Sequence, residues 1–542
     1  MQRFLLLLSL LIAFIGIFGP FFHQGFPKTH DGENHLARIA NYAAALKQGQ
    51  FPPRIAPSFL SGYTYPVFNY NYPLANILSL PVQVLGFSIE TTLKLIFVFA
   101  VALGVFGTYK LLRLFLSINA SLAGALAFLV SPFLFSSIFV RGSIGEVLAY
   151  AIFPLAVFAT ELALRDFTKK RAATMFISVL VLMLAHNILS MLFLGILLLF
   201  VICRVMKEGF LKSRMIIATL LLSILSSMFF WIPAIFEKKF VSLDATDSFQ
   251  VFTSHFPTLS QLLFSPYSFG FSYPGPVDSL QFQVGLVFIL SLFLSVPLIL
   301  GKSKNYKSIL LFFVCFLLVF FAMLQHTEVL WKIVPVLSYI QFPWRLISIV
   351  SILGSILVAF VFEDLTGRPR RSVTFLLLFL AIGTLNKQVS SYIHHEDEYY
   401  KLYNGTSSTQ HENMPKTLTK QPDGLSSRTP SVKNGFVHTV SLWTGSQHRY
   451  SVEFTEPGLV VEPTAFFPGW ETKSNGKNIE ITPEKADGFI AFSLPAGKHE
   501  VRSVFTQKTP ARIVGNAVSL ASVLIFAALF FRLPWNRNKQ HE

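Results

Sequence analysis

Charge is what this 542-residue chain has least of: 13% of its residues are Asp, Glu, Lys or Arg. Soluble domains carry roughly 25%. Hydrophobic residues make up 53%, and 58 Phe are spread over many apolar runs. Disorder is excluded, because it requires low hydrophobicity, and an ordinary water-soluble enzyme is a poor fit. Cysteine is almost missing. Cys203 and Cys315 both lie inside apolar runs, which excludes a disulfide framework or a cysteine-based zinc site. Acids are scarce against bases, 28 to 44, for a net charge of +16. On a soluble protein that excess suggests nucleic acid. Here the bases sit in short clusters between apolar runs, as in the cytoplasmic loops of membrane proteins. No nucleic-acid partner is expected, since an embedded chain offers no continuous basic face.

A membrane-spanning helix needs about 20 mostly apolar residues. Such runs lie at 4–22, 92–112, 118–139, 146–164, 172–187, 188–204, 214–234, 283–300, 308–324, 345–363, 372–389 and 512–532, twelve in all. The first lacks a following small-x-small cleavage site and reads as a retained anchor. Arg3, Lys110/Arg113, Arg165-Lys169-Lys170-Arg171, Arg204-Lys207-Lys212-Arg214, Lys302-Lys304-Lys307, Arg368-Arg370-Arg371 and Arg532-Arg537-Lys539 hold 20 of the 44 basic residues. Twelve spans put every cluster, and both termini, on the cytoplasmic side. Residues 73–87, with Pro73 and Pro81, would break that parity as a span and read as a re-entrant or interfacial helix. His186-Asn187 reads as the tip of a thin hairpin between 172–187 and 188–204.

The expected fold class is mainly α: a polytopic cell-membrane protein of about twelve transmembrane helices with a C-terminal extracytoplasmic β-sandwich-like domain. The expected division is a transmembrane domain over 1–389, a β-rich domain over 390–511, and a final helix with a cytoplasmic tail over 512–542. Outer loops are expected at 23–91, 140–146, 235–282 and 325–344. Segments 450–454, 458–463, 478–482 and 499–505 are short and rich in Val, Ile, Thr and Phe. Pro457-Gly458, Pro468-Gly469, Asn475-Gly476 and Pro495-Ala496-Gly497 punctuate them as turns.

The first outer loop opens Thr29-His30-Asp31-Gly32-Glu33-Asn34-His35-Leu36-Ala37-Arg38. A helix starting near Gly32 makes Asp31 its N-cap, with His35 and Arg38 one and two turns in. A carboxylate, an imidazole and a guanidinium then meet at one membrane-surface spot. The bland alternative is that Asp31 only caps the helix. The Tyr-rich run around Tyr70 is open to two readings, substrate binding or an interfacial aromatic belt. Glu146 stands at the top of a span; an ionisable group there is a functional candidate, or a solvated acid favoured by the helix dipole. Arg345 is placed to meet a phosphate, or to snorkel. His186 is a candidate contact or a polar helix tip.

The motifs HDGENHLARI, YPVFNYNYPL, RGSIGEVLAYAIFPLAVFA, LAHN and QFPWRL resemble those of the bacterial and archaeal membrane proteins labelled 6-pyruvoyl-tetrahydropterin synthase-related. The tail, PTAFFPGWETKSNG and FSLPAGKHEVRSVF, is similar to YfhO-like membrane proteins. Both are similar to the GT-C superfamily of polyprenyl-phosphate-dependent glycosyltransferases. Nothing resembles the soluble pterin enzyme, as there is no zinc-binding His triad. The resemblance implies a GT-C-like membrane domain, with Asp31 as the first-loop catalytic acid and Glu146 as the second-loop acid. The adjacent Asp-Glu pair of protein mannosyltransferases and the Trp-Trp-Asp motif of oligosaccharyltransferases are lacking, which argues against those two activities.

The expected function is therefore transfer of a sugar from a polyprenyl-phosphate-linked donor, reached through membrane lipid, to an extracytoplasmic glycan, lipid or protein acceptor. Asp31 and Glu146 are the expected catalytic residues. His35, Arg38, Arg345, His186 and Tyr70 are the expected substrate contacts. The cofactor is left open, a divalent metal ion on Asp31 and Glu146 being one option. The competing function is a non-enzymatic transporter or assembly factor for lipid-linked glycans. That function calls for mid-span charges and broken helices in corresponding positions of two halves; the sequence shows almost no mid-span charge and no such symmetry.

Overall fold

Short hydroxyl side chains set where many of the helices begin. Ser88 accepts the Thr91 N–H and opens Ile89–Leu112. Ser117 does the same for Ile118–Leu129, Ser131 for Pro132–Phe139 and Thr168 for Lys169–Ala185. This computed structural model describes residues 1–244, 251–275, 277–386, 389–407 and 411–532. Arg537 and Lys539 of the last basic cluster lie outside these residues, as do residues 245–250, 276, 387–388 and 408–410.

Among the described residues, seven helices are long and apolar enough to cross a membrane, or nine if each of two bent pairs is one span. The seven are Gln2–Phe22, Ile89–Leu112, Ile118–Phe139, Ile144–Arg165, Asn187–Glu208, Pro343–Asp364 and Pro510–Leu529. The bent pairs are Ser213–Leu225 with Met228–Phe236, and Tyr306–Phe321 with Gln325–Ile333. The count of twelve is not confirmed. The other three runs are helices of 17, 15 and 17 residues, Lys169–Ala185, Leu286–Leu300 and Gly367–Gly383. At 1.5 Å per residue they reach only about 23–26 Å, against a hydrocarbon core of about 30 Å. Helix 188–204, expected to be short, runs to Glu208. The segment 73–87 forms an 11-residue helix, Leu74–Val84, about 16 Å long and too short to cross.

Ile118–Phe139, Ile144–Arg165 and Pro343–Asp364 are mostly buried, whereas Asn187–Glu208 and Pro510–Leu529 are mostly exposed at the bundle's surface. Glycines allow the tightest approach. A Cβ at Gly104 or Gly107 would lie 3.0 Å from the Ala151 Cα or the Leu155 N, so small residues let Ile89–Leu112 press on Ile144–Arg165 backbone to backbone.

The C-terminal β region is one seven-stranded antiparallel sheet bent into a half-barrel. Its organiser is the 19-residue strand Gln447–Ala465. The first half of this strand pairs with Gly497–Phe505 and the second with Phe489–Leu494, while Ser431–Trp443 covers the other edge. Pro457-Gly458, expected as a turn, lies inside this strand, where its partner changes from Gly497–Phe505 to Phe489–Leu494. Asn475-Gly476 is the expected hairpin turn, with positive φ at both residues. Tyr450, Val452 and Phe454 point inward at alternate positions and join Ile55 and Tyr70 of the first loop in one core. A two-stranded pair, Phe26–Pro27 with Tyr392–Ile393, ties that loop to the chain entering the β region.

Candidate active site

Two loops meet at one end of the bundle. The His30 and Asp31 N–H groups donate to the carbonyls of Val140 (3.0 Å) and Arg141 (2.9 Å). Gly142 permits the approach: its φ is +64°, and a Cβ there would lie 2.1 Å from Thr29 Oγ1. Asp31 does precede the helix Gly32–Lys47, but its side chain makes no capping bond. Thr29 Oγ1 accepts the Gly32 N–H instead, at 3.1 Å. The Asp31 carboxylate thus stays half-buried and, among the described residues, without a hydrogen bond or ion pair.

Glu146 lies in the first turn of Ile144–Arg165 and is fully buried. One carboxylate oxygen takes the Arg141 guanidinium. The other lies 3.3 Å from Arg345 Nε and 3.9 Å from His186 Nε2. Arg345 also donates to the Ile340 carbonyl (2.9 Å) and Gln341 Oε1 (2.8 Å). Gln341 is held at φ +71°, a backbone state rare for such a residue. The Arg141 guanidinium lies 4.8 Å from the Trp344 ring centre. Two guanidiniums therefore face one carboxylate, leaving one net positive charge beside the unpaired Asp31.

The model of the 6-pyruvoyl-tetrahydropterin synthase-related domain, a membrane protein domain, matches residues 68–393. The chain belongs to this family. Its matched span includes Glu146, His186 and Arg345, while Asp31 lies ahead of it. No curated protein matches the chain. Among solved structures, ArnT from Cupriavidus metallidurans, bound to undecaprenyl phosphate, aligns over 73% of this chain and 67% of its own, with 12% identity and a TM-score of 0.40.

In this family member His186 Nδ1 accepts the N–H groups of Ile188 (3.2 Å) and Leu189 (3.1 Å). Those bonds assign the neutral tautomer with the proton on Nε2, facing Glu146. His186 is thus both helix tip and site residue. Tyr72 links it to His35: the rings of Tyr72 and His186 are 4.9 Å apart, and the Tyr72 hydroxyl lies 3.4 Å from His35 Nε2. Burial, helped by Arg38 and His186, holds the His35 pKa well below the ordinary histidine value. Gly145 makes room for Tyr72, since a Cβ there would lie 2.2 Å from the Tyr72 ring.

The structure thus gathers Asp31, His35, Glu146, His186 and Arg345. It does not bring Tyr70, whose hydroxyl donates to the Glu237 carbonyl (2.7 Å) in the core shared with the sheet. The turn Val67–Tyr70 packs on the helix Met228–Phe236, and only its Tyr70 carbonyl, which accepts the Asn187 Nδ2–H (2.8 Å), approaches the cluster. Arg38 lies two turns along its helix from Asp31 and donates to the Ser407 carbonyl (3.2 Å). Sequence reading missed Arg141, Tyr72 and Gln341. Arg141 left a signal, five residues before Glu146 in the same short loop, and Tyr72 stands in the tyrosine-rich run. The donor set does not fit a divalent ion: Glu146 spends both oxygens on arginines. No group of three His, Cys, Asp or Glu side chains forms a metal cluster among the described residues.

Proposed function

We propose that this protein is a membrane glycosyltransferase that moves a sugar from a polyprenyl-phosphate-linked donor to a hydroxyl of an acceptor outside the cytoplasm. The observation that carries this function is the unpaired Asp31 carboxylate fixed beside the Arg141–Glu146–Arg345 cluster. The GT-C-like motifs of both loops support it. The acceptor O–H gives its proton to Asp31 as its oxygen attacks the anomeric carbon. The anomeric C–O bond to phosphate breaks, and its electron pair leaves on the phosphate oxygen. Arg141 and Arg345 supply the charge that stabilises that phosphate. Glu146 positions both arginines, and His186 holds Glu146. Both termini are cytoplasmic in this scheme, and the sheet faces outside.

Asp31→Asn tests the base. It keeps the shape but removes the proton acceptor, and general-base groups contribute about 10²–10⁴ in rate. A deletion strain should accumulate the lipid-linked sugar, and wild type should restore transfer while Asp31→Asn does not. Wild-type transfer by a folded Asp31→Asn protein would falsify the assignment. For orientation, a cysteine replacing exposed Asn478 should label from outside and one replacing Thr168 should not; the reverse pattern refutes it.

A further inference from the structure

A buried cation ordinarily has a partner anion, because an unpaired charge costs several kcal/mol to bury. Arg38 has none. It is 7% exposed, yet no carboxylate lies within 4.0 Å of it among the described residues. Its one hydrogen bond runs to a neutral carbonyl, that of Ser407, and its Nε is buried without an acceptor. Two acids of its surroundings are engaged elsewhere. Glu33 accepts the Tyr399 hydroxyl (2.6 Å), and Glu412 accepts the Ser407 hydroxyl (3.0 Å). One turn before Arg38, the Asn34 Oδ1 is also buried without a donor. Asp31, Asn34 and Arg38 fall at i, i+3 and i+7 of Gly32–Lys47 and its cap, and so share one helix face. An orphan cation, an orphan acceptor and a free carboxylate line that face over about 10 Å.

We infer that this face binds an anionic, hydroxyl-bearing ligand, with a phosphate or carboxylate on Arg38 and a hydroxyl on Asn34. Resting on the proposed function, that ligand is the acceptor. Its reacting hydroxyl meets Asp31, and its anionic group lies about 10 Å away. The glycosyl acceptor is then an acidic glycan or phosphorylated glycerol-like compound, and a neutral sugar binds poorly.

The test is binding to the purified full chain, with no turnover required. In neutral detergent, inorganic phosphate and glycerol phosphate should raise Tm, and glycerol should not. Arg38→Gln should weaken phosphate binding about 10-fold or more, the loss expected for a hydrogen bond to a charged group, while Arg38→Lys keeps part of it. Asn34→Asp puts a carboxylate one turn from Arg38. It should raise Tm without phosphate and abolish the phosphate response, a gain that does not depend on Arg38→Gln folding. If phosphate protects only when carried by phosphatidylglycerol in nanodiscs, and still through Arg38, the ligand is a lipid headgroup and the site stands. Protection that ignores Arg38→Gln, no protection from either source, or an Asn34→Asp protein that is less stable overturns the inference. A failure of Asp31→Asn to lose transfer would sink the enzyme and leave this binding result untouched.

Discussion

The protein buries two clusters built from one carboxylate and two arginines, and they behave differently. Around Glu237 the charged groups are bonded, although the Asn69 Oδ1 is buried without a partner. Glu237 Oε2 takes Asn69 Nδ2 (2.9 Å) and both Nε (3.1 Å) and Nη2 (2.9 Å) of Arg512, and its Oε1 takes the Thr509 hydroxyl. Arg512 Nη1 ends on the Thr506 carbonyl (3.0 Å). Arg54 ends on Gln507 and the Phe229 carbonyl, and burial with Arg512 beside it brings its pKa down to about 9. Around Glu146 the valences are left open. Asp31 has no partner, and His30 Nε2, Asn34 Oδ1, Arg38 Nε and Trp344 Nε1 are buried without one. Buried polar atoms are nearly always satisfied, so a concentration of exceptions marks a place built to receive something. The Glu237 cluster reads as a lock joining the first loop, the bend after Met228–Phe236 and the last span. The Glu146 cluster reads as a working site.

The largest expected effect separates them. Glu237→Gln leaves two buried arginines without their counter-charge, and breaking such a pair costs about 3–5 kcal/mol. The folded fraction and Tm should drop sharply, while transfer per folded molecule stays at the wild-type level. Glu146→Gln exposes the same kind of buried pair and should also lower Tm, but it should in addition cut transfer per folded molecule, because Arg141 and Arg345 lose the group that aims them. Quantifying folded protein by size-exclusion profile alongside transfer decides the matter. If Glu237→Gln loses specific transfer and Glu146→Gln does not, the two roles are assigned the wrong way round.

A pair of glycines sharpens the contrast at a smaller scale. Gly145 abuts Tyr72 in the working site, and Gly469 abuts Arg512 in the lock, where a Cβ would lie 2.3 Å from Nη1. Overpacking costs about 1–3 kcal/mol. Alanine at either position should lower Tm by comparable amounts. Only Gly145→Ala should also lower transfer, by displacing Tyr72 from His35 and His186. Equal losses of transfer in both variants would show that the clusters are coupled.

These two clusters also mark how far the sequence could be read. Each apolar run became a helix, since that signal is local and each run is long. Asp31, Glu146 and Arg345 could be grouped because all three stand at ends of spans, and the membrane reduces the search to one surface. The lock left no trace. Arg54, Glu237 and Arg512 each sit in ordinary local sequence, and only the docking of the sheet on the first loop joins them. Tyr70 was misplaced for the same reason: its tyrosine-rich neighbourhood says interface, while the direction of a single helical turn decides which interface. The number of crossings stayed open because helices of 15–17 residues fall between a span and a buried hairpin.

The smallest expected effect is a pH dependence that the working site should show and the lock should not. His35 is buried neutral, with its folded pKa well below the unfolded value near 6.5. Below pH 6.5 the unfolded chain binds a proton at this residue and the native state does not. Unfolding is therefore favoured as pH falls from about 6.5 toward the folded pKa, by at most about 1.4 kcal/mol per pH unit. Above pH 6.5 both states are neutral and the contribution is constant. His35→Gln removes the titration while keeping a polar group near Tyr72, so its Tm should fall less steeply between pH 7 and 5 than that of the wild type. Gly469→Ala, on the lock side, should lower Tm by the same amount at every pH in that range. A His35→Gln profile parallel to wild type would show that the native imidazole takes up its proton over the same pH range as in the unfolded chain. Arg38 and His35 would then present two like charges one turn apart, and an anion would be needed to hold them together.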